Sequence, residues 1–417
     1  MTAPTLDEPG PRPPSDEPAS ARTRRRRHPA PPAHPFFRFV FPLLIAAAAV
    51  FVFVLWRDGA KAVLDTTDGS VVAAVDDPGE PGFLAFATPT PTLLVAHVDA
   101  DDTLVGVTVL ARTSLDAGGS LVVLSPNMLL DLSEQDVILG QLYASQGVEA
   151  LEQAVAEYFG FGFTEAEPMV MSTERLGAFL ERVEPVSFFL ADDLVRLGDD
   201  GVGEVVYESG FGQFDGADLA EIYAWRNPAE LDDGRFTRQL AIWEAWLAAV
   251  GEADDLLSAT LPFEEGLPPY LRAFGTGTAD LELAPVVPVA FGTADPLYTL
   301  AEGSASWPIE KGREMVPVPV GYAPGVWPTV QLLDGTGDPA RRARFLPTVV
   351  AAGAEIYVIG NAASFDVQET FVAYHAPEDA ERGEALAAAL GVPVVFDENL
   401  DQPAQLTVTV GFDSSDL

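Results

Sequence analysis

Leu93-Leu94-Val95-Ala96-His97-Val98, Leu104-Val105-Gly106-Val107-Thr108-Val109-Leu110 and Leu121-Val122-Val123-Leu124 are three Val- and Leu-rich runs separated by Asp and Gly turns. Branched apolar side chains suit a pleated, half-buried surface, so all three read as strands. Beyond them the apolar period lengthens to that of a helix. Val148 to Tyr158 carries Val148, Leu151 and Val155 on one face and stops at Gly160, a residue suited to a left-handed C-cap. Thr173 to Val183 predicts a second helix behind Ser172 as N-cap. Asp215 to Trp225 gives a third. Phe236 to Val250 gives a fourth, with Leu240, Trp243, Trp246 and Leu247 on one stripe. Strands alternating with helices predict a layered domain over residues 92–260, either of the α/β class with α-β-α layers or α+β.

Pro and Gly then recur and helical periodicity fades, so 261–326 is expected to be a Pro/Gly-rich linker with short strand segments. Order returns at Trp327. Strand-like Thr329–Leu333, helical Pro339–Ala352, strand-like Ile356–Ile359 and Thr370–Tyr374, helical Glu378–Leu390 and strand-like Leu406–Val410 follow one another. That order predicts a small C-terminal split-βαβ domain over 327–415.

The N-terminal end is different in kind. Residues 1–35, rich in Pro and charge, are expected to be a disordered cytoplasmic tail. Phe36 to Trp56 is apolar but for Arg38, long enough to span a bilayer if Arg38 reaches the interface. Arg24-Arg25-Arg26-Arg27 precede it, which places the N-terminus in the cytoplasm and everything after Trp56 outside. Ala60-Lys61-Ala62 loosely fits a signal-peptide cleavage site, yet the apolar run exceeds the usual length of such a core, which favours an uncleaved anchor. Residues 57–91 are expected to form a stalk. The localisation implied is the plasma membrane, in a single pass.

Charge and composition exclude several classes. The chain of 417 residues carries 63 Asp+Glu against 23 Lys+Arg, a net charge of −40, which repels a phosphate backbone and leaves no case for nucleic-acid binding. Residues 1–57 hold 8 Lys+Arg and 4 Asp+Glu, so the acidity lies entirely in the remainder. The absence of cysteine removes disulfides, thiol nucleophiles and Cys-type metal sites. Of the four histidines, His97 and His375 alone lie outside the N-terminal tail, too few for a His-based zinc centre.

Several short motifs stand in a telling order: Leu93-Leu94-Val95-Ala96-His97, Asp101-Asp102-Thr103, Leu124-Ser125-Pro126-Asn127-Met128, Phe214-Asp215-Gly216 through Tyr223, and Asp232-Asp233-Gly234-Arg235-Phe236-Thr237-Arg238-Gln239. Asp334-Gly335-Thr336-Gly337 and Gly360-Asn361-Ala362 follow. Together, over about 92–415, they resemble a LytR–CpsA–Psr domain followed by a LytR-type C-terminal domain. The resemblance implies a bacterial cell-envelope protein of the class that transfers glycopolymers from a polyprenyl-pyrophosphate carrier to the wall, with arginines and a carboxylate-held Mg²⁺ around the diphosphate.

Against that chemistry the chain is depleted. The family's Arg-Asp pair after the proline is replaced by Asn127-Met128, and Trp225-Arg226-Asn227 keeps one arginine, out of register, where the family has two. Phosphate binding rewards bidentate arginines, so the remaining ligand candidates are Arg235, Arg238, Gln239 and Arg226, with Asp102 as the candidate metal carboxylate. The plain structural alternatives are that Asp101-Asp102 is a solvated turn, that the arginines pair with neighbouring acids, and that Trp243 and Trp246 are core. The expectation is a non-catalytic relative, needing no cofactor, that binds a polyprenyl-linked glycan or a wall partner. The alternative is an active Mg-dependent phosphotransferase.

Overall fold

A computed structural model describes residues 75–415 except 114–117, 253–266, 290–295 and positions 134, 166, 199, 229, 324 and 400. The expected tail and membrane span therefore lie outside the described residues, as does the stalk up to residue 74. Among the described residues no helix is long and apolar enough to cross a membrane.

Strand β1 (Leu84–Phe86) precedes the central sheet, which begins with β2 (Thr92–Val98), β3 (Leu104–Arg112) and β4 (Gly118–Leu124) as an antiparallel meander. A hairpin, β5 (Leu129–Asp131) and β6 (Asp136–Ile138), leads into helices α1 (Leu139–Gln146) and α2 (Val148–Phe159). Then come β7 (Met169–Ser172), α3 (Thr173–Leu180), the short strands β8 (Val186–Leu190), β9 (Leu194–Leu197), β10 (Gly203–Tyr207) and β11 (Gly210–Phe214), and helices α4 (Gly216–Ala224) and α5 (Asp232–Glu252). Helix α6 (Leu267–Thr276), β12 (Thr278–Leu283), β13 (Val286–Pro288), β14 (Tyr298–Leu300) and α7 (Trp307–Met315) complete this part. The sheet order is β12-β4-β3-β2-β7, with both edge strands parallel to their neighbours.

Alternation along β2 explains the layering. Leu93 and Val95 face a core built with α3 to α6, whereas Leu94, Ala96 and Val98 face a second core built with α1, α2 and α7. Every residue of β2 is buried in consequence. Trp246, fully buried, anchors the first core and donates its indole N–H to the Leu180 carbonyl at 3.2 Å. Truncating such a side chain to alanine costs about 3–5 kcal/mol.

The segment expected to be a linker is part of the core. Tyr270, Leu271 and Phe274 of α6 pack into the first core, and β12 forms a sheet edge. Prolines and glycines here mark the ends of short elements. The strand was hidden because its sequence, Thr-Ala-Asp-Leu-Glu-Leu, carries two acids. Those acids are held by Lys311 of α7, itself buried, which pairs with Asp280 and with Glu282 at 2.8 Å.

The terminal part comprises β15 (Thr329–Asp334), α8 (Pro339–Ala351), β16 (Glu355–Asn361), β17 (Phe371–Tyr374), α9 (Ala380–Leu390), β18 (Val394–Phe396) and β19 (Leu406–Val410). Its sheet order is β1-β16-β15-β19-β17-β18. The split-βαβ expectation is corrected here. Each helix joins two strands that are direct parallel neighbours, β15 with β16 and β17 with β18, so no strand is inserted within either unit. Strand β18, three residues long and half exposed, is too short to give a periodic signal in the sequence.

The last stretch of the expected stalk is also folded. β1 pairs antiparallel with β16, and the Asn361 side chain donates to the carbonyls of Pro78 (2.8 Å) and Glu80 (2.7 Å). Asn361 thus satisfies backbone acceptors that would otherwise be left to water.

Candidate functional site

The site is organised by Asp232, the first residue of α5 and fully buried. A carboxylate in the first turn of a helix meets the positive end of the helix dipole. One of its oxygens accepts the Ser125 hydroxyl at 2.5 Å and the Asn127 amide at 3.4 Å, which ties the helix to the chain leaving β4. The other pairs with Arg235, one turn further along. Tyr298 adds a second tie, its hydroxyl accepting the Asp233 backbone N–H at 3.1 Å.

Arg235 lines a cavity of about 660 Å³ together with Arg226, Asn127, Asp101, Asp102 and Tyr143. The carboxylates come from the turn between β2 and β3. Asp99 Oδ1 accepts the N–H groups of Asp101 (3.0 Å) and Thr103 (2.9 Å), and Asp102 takes a left-handed φ of 59°. Tyr143 of α1 donates its hydroxyl to Asp102 at 2.9 Å. Burial, and then the Asp102 carboxylate, push the Tyr143 phenol up to about 12, so it remains a donor at neutral pH.

The structure separates the sequence candidates. Arg235, Arg226 and Asp102 meet around one cavity; Arg238 and Gln239 do not line it. Arg238 directs Nε to the Ile222 carbonyl (3.2 Å), Nη2 to the Trp225 carbonyl (2.5 Å) and Nη1 to Glu230 (2.9 Å), satisfying the open carbonyls at the end of α4. Gln239, fully buried, donates to the carbonyls of Val105 (2.9 Å) and Tyr223 (3.2 Å) and so joins α5 to β3 and α4. A Cβ at Gly106 would lie 2.7 Å from the Gln239 side-chain oxygen, so glycine there permits the approach. Both residues hold the scaffold, and their expected role as ligand contacts is corrected on that ground. Arg226 donates Nε and Nη2 to the Glu230 carbonyl, each at 3.1 Å.

Met128 does not enter the cavity. It is fully buried in the core beneath α1 and α2. The position read as a missing metal carboxylate is therefore an apolar core position in this fold. His97 is likewise a core residue: Nε2 lies 3.0 Å from the Thr108 hydroxyl, the ring packs on Tyr223 at 4.7 Å, and burial lowers its pKa to about 3.

Sequence reading missed Asp232, Ser125 and Tyr143 as members of the site. The available signal for the first was its spacing to Arg235, three residues along a helix. Among the described residues no three His, Cys, Asp or Glu side chains are grouped to hold a metal. Asp102 and Asp101 are the donors that fit Mg²⁺, which takes one or two carboxylates and completes its shell with water and substrate phosphate.

Known proteins resemble parts of this chain. Residues 328–413 match the family model described as LytR cell envelope-related transcriptional attenuator, so the terminal part is a LytR-type C-terminal domain. Among solved structures the chain is similar to a LytR-Csp2A-Psr enzyme from Actinomyces oris, at 13% identity over 55% of this chain and 96% of the other, with a TM-score of 0.41. It is similar also to B. subtilis TagV (11% identity, 55% and 98% covered, TM-score 0.41) and B. subtilis TagT (14%, 59% and 95%, TM-score 0.40). Among curated proteins no sequence matches this chain.

Proposed function

We propose that this chain is a single-pass, extracytoplasmic protein of the bacterial cell envelope that binds a polyprenyl-linked, phosphate-bearing glycan without transferring it. The LytR-type terminal domain supports the envelope assignment. The basic cluster before the apolar run supports the membrane anchor, and a tag at Met1 spared when protease digests the remainder on protoplasts tests it.

The observation that carries the binding reading is the ion pair between Arg235 and buried Asp232. The cavity presents guanidinium groups suited to phosphate, yet Arg226 and Arg235 share it with Asp101 and Asp102, and Arg235 is already paired with the buried Asp232 behind it. A diphosphate in so acidic a lining is held weakly, and the charge building on a leaving phosphate is poorly met. Asp102 and Asp101 are the residues that would hold Mg²⁺, whose charge would offset that of the phosphates when bound. Tyr143 fixes the orientation of Asp102, and Asn127 offers an amide rather than a cation.

One observation favours the second reading, an active Mg-dependent phosphotransferase attaching glycopolymers to peptidoglycan: two carboxylates and two arginines do line a single cavity. Titrating the full-length chain with farnesyl diphosphate, with and without Mg²⁺, while following phosphorus NMR, separates the two. Weak binding lost in Arg235→Gln, with no phosphate released, is expected. Turnover abolished by Asp102→Ala establishes the second reading, and no binding in either condition refutes both.

A further inference from the structure

We infer that the cleft between the central and terminal domains is a binding site for an uncharged oligosaccharide, separate from the arginine-lined cavity. This cleft, about 980 Å³, is bounded by Tyr158, Asp131, Glu302 and Arg313 of the central domain and by Tyr322 and Trp327 of the chain entering the terminal one. Its volume is that of a site for a sizeable small molecule.

Three features define the ligand. Trp327, half-buried, packs edge-on to Tyr322 with ring centroids 6.5 Å apart, and its indole lies 3.8 Å from where a Cβ on Gly353 would stand. Gly353 takes a φ of +83°, a left-handed turn that favours glycine and sets the chain beside the indole at the cleft wall. Flat aromatic faces of this kind pack against the C–H faces of sugar rings.

The second feature is Tyr158. The residue is 6% exposed and its buried hydroxyl has no hydrogen-bond partner, a condition that buried polar groups rarely tolerate. Burial and the nearby Asp131 both raise its pKa, so it is a protonated donor in search of an acceptor.

The third feature is the mixture of polar groups. Asp131 and Glu302 offer acceptors and Arg313 offers donors, while the Tyr158 hydroxyl lies buried behind the wall as a donor that a ligand must reach. A sugar hydroxyl does both. A phosphate is disfavoured because carboxylates outnumber Arg313, and an ammonium ion brings donors only and meets Arg313.

Calorimetric titration of the full-length chain with chitotetraose, cellotetraose and maltotetraose tests this, with cadaverine and pyrophosphate as controls. Saturable binding of at least one sugar is expected, weakened tenfold or more in Trp327→Ala. Tyr158→Phe, which removes a hydroxyl bonded to nothing and leaves the fold intact, should weaken it about fivefold. Pyrophosphate binding in Trp327→Ala should match that of the parent, which keeps this site distinct from the Arg226–Arg235 cavity. The inference is overturned if no sugar binds, if neither variant weakens binding, or if cadaverine competes for the cleft.

Discussion

Replacing Asp232 by asparagine should trade stability for anion affinity. Asp232 is fully buried and neutralises Arg235. Removing one member of a buried ion pair typically costs about 3–5 kcal/mol. Asparagine retains an oxygen to accept the Ser125 hydroxyl, so the loss should fall near the lower bound. Arg235 then presents an unopposed charge to the cavity. A unit charge about 5 Å from a phosphate, at an effective dielectric constant of about 20, contributes roughly 3 kcal/mol. Solvent in an open cavity reduces that to about 1–2 kcal/mol, or about a tenfold gain in affinity. Pyrophosphate titration without divalent metal, alongside urea unfolding, reads both quantities. A variant that unfolds earlier in urea, is folded in buffer, yet binds pyrophosphate no more tightly would show that Asp232 does not limit the site.

Three further outcomes follow from burial and charge. Glu152, half-buried on α2, has its carboxyl pushed from 4.5 up to about 7, first by burial and then by Glu149. The folded state therefore holds this proton more tightly, and the contribution is lost as pH rises from 4.5 to 7, so Glu152→Gln should gain about 1 kcal/mol at pH 8, after discounting for its exposure, and nothing at pH 4; equal effects at both would refute it. His97 runs the other way: its folded pKa of about 3 lies below 6.5, so stability falls as pH drops through that window, by several kcal/mol in all, and His97→Asn should flatten the acid limb of a denaturation series. Met128→Asp places a carboxylate in a sealed apolar core and should cost about 3–5 kcal/mol, so a melting temperature equal to that of the parent would refute the core placement.

What was legible in the sequence followed from repetition. The runs of β2 to β4 are apolar on both faces because helices cover both sides of the sheet, and that uniformity is visible without coordinates. Helices with clear caps were equally plain: Ser172 accepts the Arg175 N–H at 3.2 Å, and Gly160 closes α2 with φ of 74°. The short strands β1 and β18, three partly exposed residues each, carry no period, and β12 is interrupted by two acids. At the site, the sequence supplied Arg235, Arg226 and Asp102 but not their division of labour. Whether an arginine faces a cavity or a helix end depends on which way α5 is turned, and a motif does not record that rotation. Arg238, three residues from Arg235, serves the carbonyls of α4 instead.

The pairing of β1 with β16 bears on how the chain is made. Residues 84–86 leave the ribosome early, but their partners, Val358 to Gly360, emerge only near the end of translation. At roughly 5–20 residues per second, the first strand waits on the order of tens of seconds for its place. Throughout that interval Leu84 and Phe86 remain without their β16 partners. The terminal domain is thus the part whose arrival fastens residues 84–86, and a chain truncated before residue 355 would leave that first strand permanently unpaired.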